Sequence, residues 1–341
     1  MAISYSPTTR SAAGKDYEPI ITQLLFENKT VGEELVAFET DVKADTVFTE
    51  STVVATMQAY TSGAPSSNGT LGAADTRVTP VKVMYYQEFD PNTLRSSRFG
   101  KSMKKGAWEV ASSEFEGVVL ELYNSAISYD AELKWYNNAL SATQTTVAGL
   151  SPGSANTSVS AAEQAYVASL TAGQFDGLIT YMIYNNGAVG GRLKVANPTT
   201  INATNIKDEY DKMYQTIPSV VLNQRAVQPR IYAPYSHLQF INTYNNNPTN
   251  FKQDIFVVTD LGKPTQKVFY NGMEIVFVPL GENIMVAARP DYLIWATDLL
   301  SDINKMKLDY IANNREDMFV KHIFTIFAHV VNQANNVLYV G

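Results

Sequence analysis

The chain has 341 residues, a formal net charge of -7, no cysteine, 45% hydrophobic residues and only 17% charged residues. The missing cysteines exclude disulfides and thiolate metal sites, and the acidic balance argues against a dedicated nucleic-acid binder, which needs concentrated Lys and Arg. The start lacks the apolar segment of a signal peptide and no window approaches the ~20 apolar residues of a membrane span, so a cytoplasm-like location is expected.

Residues 1–45 are interpreted as an arm with two short helical patches, at residues 20–26 and 32–38. Between Glu27 and Glu50 there are seven acids against Lys29 and Lys43, a net charge of -5. The simplest interpretation of this stretch is a solvated acidic face.

Two β-rich stretches follow, at residues 48–60 and 78–89, with a Gly/Ser/Ala-rich loop at residues 61–76 between them. This pattern predicts a long hairpin with a flexible tip. Because a two-stranded hairpin is barely stable alone in water, it must lie on its own domain or on a neighbouring molecule.

A basic run lies between residues 91 and 108 and contains no acid. One interpretation is a solvated loop before a helix. The other is an electrostatic latch between subunits, in which this run pairs with the acidic arm, because complementary patches fix the register between partners. The candidate contacts are the cations Arg95, Arg98, Lys101, Lys104 and Lys105 and the acids Glu33, Glu34, Glu39, Asp41 and Asp45.

Apolar residues at steps of three and four predict one uninterrupted helix over residues 107–140, roughly 50 Å long at ~1.5 Å per residue. Its length fits either a surface helix over a sheet or a strut inside a large assembly. The predicted buried stripe is Ala111, Phe115, Val118, Leu122, Ala126, Tyr129, Leu133, Tyr136 and Leu140. The predicted wet side carries Ser112, Ser113, Glu116, Glu121, Asn124, Asn137 and Asn138.

The middle of the chain predicts a polar loop at residues 141–160 and a second helix at residues 161–184. The glycines at residues 185–191 fit no phosphate-binding motif and are interpreted as a turn. A further helix is predicted at residues 204–223, capped by Thr204 and Asn205.

The last third of the chain is predicted to be rich in strands. Asn271-Gly272 between two short apolar runs is a strong signal for a tight hairpin turn. A short helix is expected in PYSHLQFINTY. Strands are predicted at residues 230–233, 285–288, 292–295, 318–331 and 337–340.

No constellation of side chains indicates an enzyme. The three histidines are His237, His322 and His329, and the last two are seven apart in a predicted strand, so they point to opposite faces. The chain contains no HExxH, no GxSxG and no cysteine nucleophile. A hydrolase or metal site is therefore unsupported, and neither a catalytic residue, a cofactor nor a metal is expected.

The segments RIYAPYSHLQFINTY, YNGMEIVFVPLGENIMVAARPDYLIWATDLLSD and DMFVKHIFTIFAHVV follow the hairpin and the long helix in order. In this succession, which covers nearly the whole chain, the sequence resembles the major capsid protein of tailed bacteriophages. The resemblance implies an α+β fold of the Hong Kong 97-like type, with an N-terminal arm, an extended β-hairpin loop, a peripheral domain with a long spine helix, and an axial domain.

The resemblance also implies a division of the chain. The arm would be residues 1–47, the extended loop 48–90, the peripheral domain 91–199 with its spine helix at 107–140, the axial domain 200–300, and a return to the peripheral domain 301–341. The scaffolding domain that some family members carry before the arm has no counterpart here, which implies a separate scaffolding protein or none. The loop tip at residues 61–76 has no lysine for the intersubunit bond of some relatives, so a noncovalent shell is expected.

By this resemblance the chain is expected to be a structural protein of the virion, assembled in the host cytoplasm into hexamers and pentamers of an icosahedral head shell. Its implied partners are further copies of itself, non-specifically packaged double-stranded DNA, a scaffolding protein, a portal and decoration proteins, with no membrane. Two alternatives stay open: the shell of an encapsulin-like cargo compartment, and another virion component such as a tail-tube subunit.

Overall fold

Two β-sheets and one long helix form the frame of the molecule. The computed structural model describes residues 29–42, 46–55, 57–60, 62–63, 66, 68–94, 103, 113–185, 188–223, 227–247, 256–259, 267–298, 307–311 and 317–341. The α-helices in this part are Lys29–Gly32, Ser113–Tyr136, Ser141–Ala148, Ala161–Ser169, Leu178–Ile183, Ile206–Thr216, Ser219–Leu222 and Ser236–Asn245. Among the described residues, no helix combines the length and the apolar content that crossing a lipid bilayer requires.

The first sheet has five strands organised around Met318–Val330, the long closing strand that the sequence predicts. Its side chains alternate between buried and half-buried along most of its length, as period-2 packing on one core face requires. Its other strands are Ala37–Glu39, Val81–Phe89, Leu293–Ala296 and Lys307–Tyr310. The long helix and the helix Leu178–Ile183 pack against this sheet and share its hydrophobic core.

The second sheet has seven strands and is apolar on both faces. Along Met273–Val278, Ile275 and Phe277 belong to one hydrophobic core, whereas Val276 and Val278 belong to the core shared with the long helix. Such a doubly covered sheet explains why its central strands are nearly continuous apolar runs. In spatial order the strands are Phe256–Thr259, Lys267–Tyr270, Met273–Val278, Arg230–Pro234, Ile284–Ala288, Val337–Val340 and Leu193–Lys194.

The tight turn predicted at Asn271-Gly272 is confirmed. Both residues have positive φ, 47° and 82°, and they join antiparallel strands in which Tyr270 pairs with Met273. This is the turn geometry that an Asn-Gly pair favours. The short helix expected in PYSHLQFINTY is present as Ser236–Asn245, but it begins two residues after Pro234, which ends the preceding strand.

The predicted hairpin is correct in its first strand and wrong in its second. Thr46–Ala55 pairs with Gly69–Val78, whereas Val81–Phe89 pairs antiparallel with Met318–Val330. Most of the strand Gly69–Val78 lies in the Gly/Ala-rich stretch that the sequence predicts to be a loop. Its backbone can form strand hydrogen bonds whatever its side chains are. The half-buried Val81, Val83 and Tyr85 pack against the first core instead.

The long helix ends earlier than predicted, at Tyr136, and its start at residues 107–112 lies outside the described residues. With 24 residues it is about 36 Å long. Beyond the helix the backbone is hydrogen-bonded to the segment around residue 176. Gly177 N donates to Asn138 O at 2.9 Å, and Leu140 N donates to Asp176 Oδ1 at 2.7 Å. Ala139–Leu140 therefore forms a short parallel strand with Ala172–Gly173.

The buried face of the long helix also differs from the predicted stripe. Leu122 and Tyr129 are 49% and 63% exposed, whereas Glu116 and Asn124, predicted to be wet, are buried. The helix carries apolar residues on two sides, so periodicity alone cannot choose between them. The buried apolar side chains are Phe115, Val119, Leu120, Ile127, Ala131, Trp135 and Tyr136.

The loop predicted at residues 141–160 begins as a helix, Ser141–Ala148. Its polar side chains are used inside the protein: Gln144 Nε2 donates to the carbonyls of Val167 and Leu170, at 3.1 and 2.7 Å. The loop prediction is therefore wrong for Ser141–Ala148, because polar side chains there bond inside the protein and do not indicate a loop.

The single helix predicted at residues 161–184 is two helices, Ala161–Ser169 and Leu178–Ile183. Between them the chain passes so close to the segment that follows the long helix that a Cβ added at Gly173 would lie 1.9 Å from Asn138 Oδ1. The break is therefore set by a tertiary contact.

Two other predicted helices need correction. Pro218 separates Ile206–Thr216 from Ser219–Leu222, because proline cannot donate the next helical hydrogen bond, and Asn205 makes no capping bond with its side chain. Residues 32–38 are not a helix: Glu34 has a φ of 51°, and Ala37–Glu39 joins the first sheet. The patch at residues 20–26 lies outside the described residues.

The expectation that residues 301–341 complete one sheet is wrong for the last strand. Val337–Val340 pairs with Ile284–Ala288 in the seven-stranded sheet, whereas Leu293–Ala296, assigned by the sequence to the axial domain, pairs with Met318–Val330 in the five-stranded sheet. Followed through its described strands, the chain therefore crosses between the two sheets twice after residue 288.

Candidate assembly surface

The residues of the predicted latch fall into two groups. Four of the acids are exposed on a segment that we call the strap, residues 29–42: Glu33, Glu34, Glu39 and Asp41. Asp45 and the cations Arg95, Arg98, Lys101, Lys104 and Lys105 lie outside the described residues. Contact between the two groups therefore stays a prediction.

The strap ties the long helix to both sheets. Thr30 N donates to Glu132 Oε1 on the long helix at 3.0 Å, and Lys29 Nζ donates to Phe277 O in the seven-stranded sheet at 3.0 Å. The strand Ala37–Glu39 then pairs with Leu293–Ala296 in the five-stranded sheet. The exposed acids are thus presented on a backbone that is fixed at several points.

The hairpin is anchored at its base. Phe48 stacks on His329 with ring centroids 5.2 Å apart, and the buried Val78 packs in a small cluster with Val42, Ile294 and Ala296. Across the two strands, the paired Thr49 and Asp75 share a side-chain hydrogen bond of 2.7 Å. The hairpin is therefore fixed to the rest of the protein at its base, through Phe48 and Val78.

The outer part of the hairpin exposes apolar side chains. Met57, Tyr60 and Leu71 are 97%, 94% and 79% exposed. Because burying such side chains is favourable by about 1.5–3 kcal/mol each, this end of the hairpin is suited to contact with another surface.

Two further sets of exposed apolar side chains lie on the long helix and on the strand Val81–Phe89. Leu122 and Tyr129 lie on the outward side of the helix, and Met84 and Tyr86 lie on the face of the strand opposite to Val83 and Tyr85. A cavity of about 240 Å³ separates helix and strand, lined among others by Tyr86, Tyr123 and Ala126. Each of the two sets is a candidate contact surface for another protein chain.

A larger cavity, of about 980 Å³, lies between the long helix, the helix Ala161–Ser169 and the chain end at Gly341. On its wall Tyr85 Oη donates to Asp130 Oδ2 at 2.6 Å, and Lys134 Nζ lies 2.7 Å from the same oxygen. Burial and this hydrogen bond raise the pKa of the Tyr85 phenol, which therefore remains a donor at neutral pH. This polar triad connects the strand to the helix.

The three histidines are buried and separate. His322 stacks on Phe324, whereas His329 contacts Phe327 on the opposite face of the same strand. His237 lies in the other core, with Nδ1 3.1 Å from Tyr210 Oη and Nε2 2.9 Å from Glu282 O. Among the described residues, no group of three or more His, Asp and Glu side chains could hold a metal ion.

No protein-family model and no curated protein sequence matches this chain. Solved structures match along nearly its whole length. A chain of the satellite phage P4 procapsid, a structure that includes the size determination (Sid) protein, has a TM-score of 0.51 at 9% identity, covering 94% of this chain and 89% of that chain. A chain of the capsid of a native GTA particle has a TM-score of 0.51 at 10% identity, covering 92% and 89%.

A chain of Gordonia phage Cozz is similar to the same degree, with a TM-score of 0.51 at 10% identity, covering 91% of this chain and 85% of that chain. The chain thus shares its fold with chains from a procapsid and a capsid. The similarity confirms the α+β capsid fold that the sequence predicts.

Proposed function

We propose that the chain is a major capsid protein that self-assembles into the icosahedral head shell of a tailed bacteriophage. The observation that carries this proposal is the fold, shared over 94% of the chain with a chain of a phage procapsid. The exposed apolar end of the hairpin and the exposed face of the long helix support it, because both are surfaces suited to further copies of the chain.

On this proposal the chain is divided as its resemblance implies: an arm at residues 1–47, an extended loop at 48–90, and a peripheral domain at 91–199 that includes the spine helix. The axial domain spans residues 200–300 and residues 301–341 return to the peripheral domain, except that Leu293–Ala296 belongs to the five-stranded sheet and Val337–Val340 to the seven-stranded sheet. The strand exchange after residue 288 ties these two domains together.

The proposed partners are further copies in hexamers and pentamers, packaged double-stranded DNA held without sequence preference, a scaffolding protein, a portal and decoration proteins. Closure makes many modest contacts stable, because a copy must break several of them at once to leave. We assign the chain to the virion and propose neither enzymatic activity nor a cofactor.

The apolar end of the hairpin is the first place to test the proposal. We expect the double variant Tyr60→Asp/Leu71→Asp to raise the concentration needed for assembly at least tenfold, which corresponds to about 1.4 kcal/mol of contact energy. Both side chains are exposed, so the stability of the single subunit should change by no more than about 0.5 kcal/mol.

Light scattering during assembly measures the effect, and Gln58→Asp, a charge at an exposed polar position of the same hairpin, is the matched control. Assembly of the double variant at the wild-type concentration would show that this end of the hairpin does not contact another copy.

The electrostatic latch makes a separate prediction. Reversing Arg95, Arg98 and Lys101 to Glu should weaken assembly, and moderate salt should weaken wild-type assembly, because contacts between exposed charges are screened over about 10 Å at 0.1 M salt. Reversing Glu33, Glu34 and Glu39 to Lys in the same chain should restore part of the loss. Shell yields that are equal for all three proteins over a range of salt concentrations would refute the latch.

Sedimentation velocity on the purified chain, recorded at nucleic-acid and protein wavelengths, tests the function itself. A boundary of megadalton size with strong nucleic-acid absorbance is expected for a head shell. The same boundary with protein absorbance alone would favour a cargo compartment, and open tubes in electron micrographs would favour a tail-tube subunit. A monomer that added scaffolding protein does not assemble would overturn the proposal.

A further inference from the structure

The base of the hairpin covers a buried histidine. His329, at the end of Met318–Val330, is 1% exposed and lies against the Phe48 ring of the hairpin. From the helix Leu178–Ile183, Tyr181 meets the imidazole edge-on, with its hydroxyl 2.7 Å from Nδ1. Within the described part of the chain, Nε2 has no hydrogen-bond partner.

The surroundings of this imidazole offer nothing to balance a positive charge. Phe48 comes from the hairpin, Phe327 from the same strand, and Ile294 from the strand paired with it. Tyr181, a neutral phenol, is the titratable group that contacts the ring. Among the described side chains, no carboxylate or cation shifts the pKa of His329, and burial alone lowers it.

We propose that His329 is an acid-sensitive release for the hairpin: protonation of the ring displaces Phe48, and the hairpin is freed to swing from its base. Protonation places a positive charge on the ring, and burying a charge is costly when, among the described residues, it has no counter-charge and Nε2 has no acceptor. With Phe48 displaced, water can reach Nε2 and supply that acceptor. The device operates in a single chain and does not require the proposed shell.

The direction of the effect follows from the pKa of His329, which burial lowers to about 4 from its ordinary value of 6.5. A ring exposed by release regains the ordinary pKa, so the released state binds the proton more tightly than the docked state. The released fraction is therefore constant above pH 6.5, rises as the pH falls from 6.5 to about 4, and levels off below that. Since each pKa unit is a factor of ten in equilibrium constant, the total change is roughly two orders of magnitude.

Hydrogen exchange of the full-length chain, followed by mass spectrometry from about pH 7.5 to about pH 4, tests this release. Wild type is compared with His329→Asn at each pH, because asparagine keeps an acceptor for the Tyr181 hydroxyl and cannot be protonated. Exchange in Thr46–Ala55 and Gly69–Val78 should accelerate in wild type relative to the variant as the pH falls, by up to about 100-fold. An unchanged ratio of the two rates across this range would overturn the proposal.

His237 is the matched control. Burial lowers its pKa to about 4 as well, but both of its ring nitrogens are hydrogen-bonded and it lies in the other core. His237→Asn should leave the pH dependence of hairpin exchange as in wild type.

A second measurement does not depend on the folding of His329→Asn. Exchange of the imidazole C2 proton reports the pKa of each of the three histidines separately. We expect the pKa of His329 to be near 4 in wild type and to return towards 6.5 in Phe48→Ala, which uncovers the ring. A pKa unaffected by Phe48→Ala would show that the hairpin does not control this histidine.

Discussion

Replacing Arg192 by methionine should lower the free energy of unfolding by about 3–5 kcal/mol, because it leaves the buried Glu163 carboxylate without its main partner. Both side chains are buried, and Arg192 Nε donates to Glu163 Oε1 at 3.1 Å. The guanidinium also donates to the backbone carbonyls of Asn156, Ser158, Ile183 and Gly190. The substitution therefore releases three segments of the chain as well as one charge.

Urea unfolding of the unassembled subunit measures this effect. Lys207→Met is the matched control, since it removes a cation of similar length from the half-exposed pair with Asp211 and should cost at most about 1 kcal/mol. Adding Glu163→Gln to Arg192→Met should recover part of the loss, because the pair is then removed together. A loss for Arg192→Met that is no larger than the control's would contradict the role assigned to this pair.

Trp135→Ala is expected to have a comparable effect, about 3–5 kcal/mol, because it empties a large space between the long helix and the five-stranded sheet. Trp135 is fully buried and stacks on Trp295 with centroids 5.0 Å apart and an interplanar angle of 11°. Its indole Nε1 donates to Phe327 O at 3.3 Å.

The same unfolding assay, followed by circular dichroism, separates these contributions. Trp135→Phe keeps an aromatic ring and loses the hydrogen bond, so a smaller loss is expected. Tyr129→Ala lies on the exposed side of the same helix and should change stability by about 0.5 kcal/mol or less. Equal losses for Trp135→Ala and Tyr129→Ala would mean that the helix does not pack as described.

The features predicted best from the sequence are those whose signal is local. Asn271-Gly272 specifies its turn through backbone conformation, and Met318–Val330 has a β-branched and aromatic pattern long enough to exclude most alternatives. Arg230–Pro234 is similarly clear, because an apolar run ends there at a proline.

The features predicted wrongly depend on contacts between distant segments. The long helix ends where the carbonyl of Asn138 accepts a hydrogen bond from Gly177 N. Nothing near Asn138 in the sequence shows this contact. Glu132 looks like a surface residue until Thr30 is brought to it by the strap. The second hairpin strand was misplaced because the partner of Val81–Phe89 lies more than two hundred residues further along the chain.

The sequence predicted which segments form the candidate assembly surface, but not the contacts that hold them in place. The described acids Glu33, Glu34, Glu39 and Asp41 are exposed as expected, and the need of the hairpin for outside support followed from the low stability of an isolated two-stranded hairpin. The contact between Phe48 and His329 could not be predicted, because it joins residues that are far apart in the sequence and have no charge pattern. Arg192, directly after the glycine-rich stretch at residues 185–191 that the sequence predicts to be a turn, is buried and bonded to several segments, and the sequence gives no sign of these contacts.

Electron cryomicroscopy of the assembled particles tests the central claim most directly. We expect a closed icosahedral shell in which each hairpin crosses onto a neighbouring subunit, with Met57, Tyr60 and Leu71 covered there. Particles that are not closed shells, or a shell in which the hairpin folds back onto its own subunit and stays exposed to solvent, would contradict it.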